Sequence, residues 1–111
     1  MKQILISVGT ILILASCNTS KTTKVATEEV PLTYNNTIKK LVSRKCVGCH
    51  KGYQPAGSLS LDTYLGVKNS AKEGTLLKRI NDVDKPMPKA GLMSEKNRAL
   101  FQKWANNAFA E

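Results

Sequence analysis

Five consecutive residues, Cys46-Val47-Gly48-Cys49-His50, constrain this chain more than any other segment. Cysteines at i and i+3 share one face of a helix end, so both thiols can reach the same object. An imidazole follows at once. C-x-x-C-H is the attachment pattern of c-type haem. The thiols of Cys46 and Cys49 add across the two haem vinyl groups, and His50 offers a ring nitrogen to iron. Competing uses of these residues fare worse. A structural zinc site takes four ligands, and the chain has no second C-x-x-C and no histidine besides His50. A thioredoxin-like dithiol expects a βαβ setting. A disulfide across two intervening residues closes too short a loop to add much stability. The cofactor expected is therefore one covalent haem c.

The beginning of the chain reads as an address. Lys2 supplies a positive start, and Ile4 to Leu14 is an apolar stretch too short to span a bilayer as a helix. It runs into Leu14-Ala15-Ser16-Cys17, which resembles a bacterial lipobox. That resemblance implies cleavage before Cys17 and a lipid on Cys17, anchoring the protein to a membrane without a spanning segment. The expected organisation is a removed signal peptide over 1–16, lipidated Cys17 with a polar tether over 17–34, and one domain over 35–111. The expected location is the cell envelope, on the periplasmic face. Removing residues 1–16 takes away only Lys2 among charged groups, so the formal charge of +9 falls to +8. Export argues against nucleic acid as the partner of this excess. An acidic redox protein or oxidase, or an anionic membrane surface, suits it better.

No segment shows sustained period-2 alternation, so the domain is expected to be all-α. Ile38, Leu41 and Val42 mark a first helix, capped by Asn35 or Asn36 and ending near Cys46–Cys49. Gly52, Pro55 and Gly57 make 52–60 a loop. Leu61, Tyr64, Leu65 and Lys68 suggest a second helix, interrupted at Gly74. Leu76, Leu77 and Ile80 suggest a third, with Thr75 at its start. Pro86, Pro88 and Gly91 exclude regular structure over 81–91. Ser94 then caps a last helix carrying Leu100, Phe101, Trp104, Ala105 and Ala108. Four short helices with such long loops leave room for something other than side chains at the centre.

The sixth iron position has three candidates. Met87 lies in Lys85-Pro86-Met87-Pro88-Lys89, where two prolines restrict the backbone around it. Met93 abuts the Ser94 cap and reads as packing. An open or exchangeable site is the third possibility, and it would suit a haem-based sensor or gas-binding module. With a methionine opposite His50, iron has no vacant position and the protein is an electron carrier rather than an enzyme.

These segments resemble the class I monohaem c-type cytochromes, and more narrowly the short planctomycete-type cytochrome c domains in lipoprotein form. The likeness rests on the haem motif after the first helix, Gly57-Ser58-Leu59-Ser60-Leu61-Asp62-Thr63-Tyr64, Gly74-Thr75-Leu76-Leu77-Lys78-Arg79-Ile80, Met87-Pro88, and Phe101-Gln102-Lys103-Trp104. It covers about residues 36–108. It implies a small cytochrome c-like fold around the haem, with His50 and Met87 as axial ligands and Cys46 and Cys49 as anchors. It also implies that the Pro55 carbonyl receives the second ring nitrogen of His50. Trp104 is either a haem neighbour or ordinary core. Lys45, Lys51, Lys85 and Lys89 are expected to ring the docking site for an acidic partner. Segments 46–60 and 82–93 are expected to be poorly ordered without the haem.

Overall fold

The computed structural model describes residues 29–111; Cys17 and the proposed signal segment lie outside the described residues. Among these residues there are four α-helices and no strand. A π-helical turn, Tyr34–Ile38, leads directly into α1, Lys39–Lys45. A 3-10 turn at Ala56–Ser58 precedes α2, Tyr64–Lys72; α3 covers Thr75–Asn81 and α4 covers Glu95–Asn106. The all-α expectation holds at this level. No helix of the described residues is long and apolar enough to cross a membrane.

Each helix contributes a small apolar pair at helical spacing. Ile38 and Val42, Val67 and Ala71, Leu76 and Ile80, and Phe101 and Trp104 are all buried, at separations of three or four residues that put both members on one face. Together with Tyr34, Leu61 and Met93 they form one core. α2 packs on α3, and α4 packs on both α3 and the π-helical turn. The second helix departs from expectation. Leu65 is 63% exposed, and its place in the core is taken by Val67 and Ala71. Thr63 is the N-cap. The Thr63 hydroxyl accepts the Gly66 N–H at 3.1 Å. Gly66 also passes so close to the Ser60 carbonyl that any side chain there would collide with it. Gly74, at φ 82, turns the chain from α2 into α3.

The first helix begins earlier than its apolar pattern suggests. In place of the expected Asn35 or Asn36, the N-cap is Thr33, and Asn36 completes a capping box. The Thr33 N–H donates to Asn36 Oδ1 at 2.8 Å, and the Asn36 N–H donates to the Thr33 hydroxyl at 3.3 Å. Tyr34 is therefore a core residue and not part of a tether. Its N–H donates to the Ala110 carbonyl at 2.8 Å, and Asn107 donates from its side chain to the Leu32 carbonyl at 3.1 Å. At the other end, Ser94 caps α4 as expected, accepting from Asn97 N–H at 3.3 Å. Ala108 lies past the end of α4, at φ 51.

Candidate functional site

Once α1 ends at Lys45, the chain winds into tight turns. Cys46 and Val47 donate their N–H groups to the Val42 carbonyl, and Cys49 and His50 donate theirs to the Cys46 carbonyl at 3.1 and 3.0 Å. The segment then doubles back. Ala56 N–H reaches the Cys49 carbonyl at 2.9 Å, and Leu61 N–H reaches the His50 carbonyl at 2.8 Å. Asp62 closes this loop from outside, accepting from the Ser60 hydroxyl and from Gly52 N–H. The Ser60 hydroxyl, followed by the Gly52 N–H, holds the Asp62 carboxyl below the usual carboxylate range.

His50 Nδ1 lies 3.1 Å from the Leu59 carbonyl oxygen. A carbonyl can only accept, so Nδ1 carries a proton, and in the neutral ring the lone pair then belongs to Nε2. This is the tautomer a metal ligand needs, with the second ring nitrogen held by the protein. The partner is not Pro55, whose carbonyl instead accepts Ser58 N–H at 2.9 Å and closes the 3-10 turn. Cys46 and Cys49 are both free thiols, the first half-buried and the second exposed. Burial pushes the Cys46 thiol up to about 11.

Met87 arrives from the other half of the chain. Its N–H donates to the Arg79 carbonyl at 3.1 Å, near the end of α3. The peptide bond that follows it, Met87-Pro88, is cis. The two halves meet at a mostly apolar cavity of about 300 Å³, whose lining includes Cys46, Cys49, His50 and Met87. Leu59, Leu61, Leu76 and Ile80 supply its apolar wall, and Lys45, Arg79 and Lys89 border it. All four expected site residues of the domain are thus brought to one space. Among the described residues, no three His, Cys, Asp or Glu side chains converge as a metal-ligand set. The cavity combines a mostly apolar wall with separate cysteine, histidine and methionine side chains at its lining.

Met93 is 7% exposed and sits in the core, away from the cavity lining. Trp104 is likewise core. Its indole N–H donates to the Ala110 carbonyl at 2.7 Å, and its ring meets Phe109 edge-on at 5.1 Å. Of the four expected docking lysines, Lys45 and Lys89 border the cavity; Lys51 and Lys85 are exposed but are not among its lining. Sequence reasoning missed the Leu59 carbonyl, because a backbone acceptor leaves no residue-type signal. It also missed Asp62, whose partners Gly52 and Ser60 precede it in the chain, and Asp82, whose carboxylate accepts from the Asp84 and Lys85 N–H groups as in an Asx turn. Comparison with family models, curated proteins and solved structures returned no match to this chain.

Proposed function

We propose that this domain is a monohaem c-type cytochrome that carries single electrons between redox partners, held at the periplasmic face of a membrane through a lipid on Cys17. One observation carries the reading: Met87 lines the same apolar cavity as Cys46, Cys49 and His50, although it lies 37 positions after His50 in sequence. The donor set fits a haem c. Two free thiols at one end of α1 serve as thioether anchors, and the apolar wall of Leu59, Leu61, Leu76 and Ile80 suits a porphyrin face. Bound there, haem supplies a one-electron iron couple.

The chain's own residues do the rest. His50 offers Nε2 because Leu59 occupies Nδ1. Met87 would offer a thioether, and a methionine–histidine ligand pair would give a higher reduction potential than two imidazoles. With haem bound, the apolar wall would keep water from its face. Exposed Lys45 and Lys89 beside the cavity place positive charge where an acidic partner would dock. The test is a pyridine haemochrome assay of the purified protein, followed by absorption of Met87→Ala. The native protein is expected to show covalent haem and a weak methionine–iron band in the near infrared. Met87→Ala is expected to lose that band and become high-spin or take up an external ligand. A native protein that is already high-spin would replace the carrier with a haem-based sensor or gas-binding module.

A further inference from the structure

The return from α3 to Met87 is governed by one side chain. Asp82 stands at the C-cap of α3 and leaves the helix at φ −74, ψ 118. Its Oδ1 accepts from Asp84 N–H at 3.0 Å and from Lys85 N–H at 2.9 Å. Its Oδ2 lies 3.5 Å from Arg79 Nη1. The Arg79 carbonyl, one of the helix-end acceptors left without an intrahelical donor, takes the Met87 N–H. Pro86 has no N–H. Every backbone donor from Asp84 to Met87 is therefore held by Asp82 or by the residue Asp82 pairs with. Arg79 also borders the cavity.

We infer that Asp82 is a positioning residue for Met87, fixing the turn that presents its thioether to the cavity and so setting how firmly Met87 holds iron. The inference rests on the proposed ligand role of Met87. Lys85 N–H, with Asp84 N–H and Arg79 behind it, keeps the Asp82 carboxyl ionised below the usual range. The two acceptor atoms divide the work. Oδ1 shapes the turn, and Oδ2 ties it to α3. Asp82→Asn keeps an acceptor oxygen for the turn, while Asp82→Ala removes both.

The experiment uses the haem-loaded full chain and titrates imidazole against the methionine–iron near-infrared band. Losing the two charge-assisted hydrogen bonds in Asp82→Ala is expected to make imidazole displace Met87 at about tenfold lower concentration. Asp82→Asn is expected to stay within about twofold of native. In the same samples, hydrogen exchange at the Met87 amide is expected to speed up in Asp82→Ala and not in Asp82→Asn. Should Asp82→Ala fail to fold, Asp82→Ser, with a shorter and uncharged acceptor, takes its place and is expected to fall between the other two. An alanine or serine variant with native imidazole sensitivity overturns the inference. Absence of covalent haem from the native chain would instead sink the proposed function, and the Met87 amide exchange then judges Asp82 alone: equal rates in native and Asp82→Ala overturn it.

Discussion

At the scale of single residues, the site divides by burial and by hydrogen-bond partner. Cys46 is half-buried with its thiol pushed up to about 11, whereas Cys49 is exposed. In the haem-free chain at pH 8, iodoacetamide is expected to modify Cys49 well before Cys46, because the thiolate is the nucleophile; mass spectrometry after timed quenching reads the order. The same shift has a consequence for stability. Burial disfavours the Cys46 thiolate, so the haem-free fold keeps its full stability below the ordinary thiol value of about 8.5 and loses it as pH rises towards 11. Denaturant midpoints measured between pH 8 and pH 11 should fall, and Cys46→Ser should flatten that fall. The two aspartates behave in the opposite sense. Both carboxyls are held below the usual range, so what they contribute is present above about pH 4 and disappears as acid protonates them.

At the scale of elements, most of what positions the site was readable and some was not. The helix faces of Ile38 and Val42, of Leu76 and Ile80, and of Phe101 and Trp104 follow from spacing alone, and the Ser94 cap from residue type. Met87 was singled out by its flanking prolines, and the cavity lining includes it with His50. The errors differ in cause. Thr33 as cap belongs to a local capping box with Asn36 that lies ahead of the apolar pattern, and Val67 takes the core place expected of Leu65, whereas Leu59 in place of Pro55 depends on a neighbour in space, which local pattern does not contain. Gly66 is another such case, since the Ser60 carbonyl it makes room for belongs to the loop that also carries Leu59. Gly66→Ala is expected to lower stability by about 1–3 kcal/mol through that overpacking. It is also expected to disturb the His50–Leu59 contact, which the shift of the His50 ring nitrogens in NMR would report. Ser94→Ala, by contrast, should cost about 1 kcal/mol of stability and leave those nitrogens unmoved.

At the scale of the whole molecule, one core serves two features. One is the cavity shared by the 46–61 and 76–89 segments. The other is the aromatic cluster of Tyr34, Tyr64, Trp104 and Phe109, whose members are absent from the cavity lining. Truncating the second should therefore damage folding without altering the first directly: Trp104→Ala is expected to lose about 3–5 kcal/mol in chemical denaturation. Tyr64 reaches the Phe109 carbonyl at 2.8 Å, and the Ala110 carbonyl receives both the Trp104 indole and the Tyr34 backbone. The chain entering the domain at Leu32 is thus fastened to the chain leaving α4. Tension applied through an N-terminal anchor would run through Tyr34 into Ala110 and Asn107, and the loops bearing His50 and Met87 would carry none of it directly. Under the proposed anchoring, the segments bearing His50 and Met87 would stay mechanically quiet while the domain met a partner.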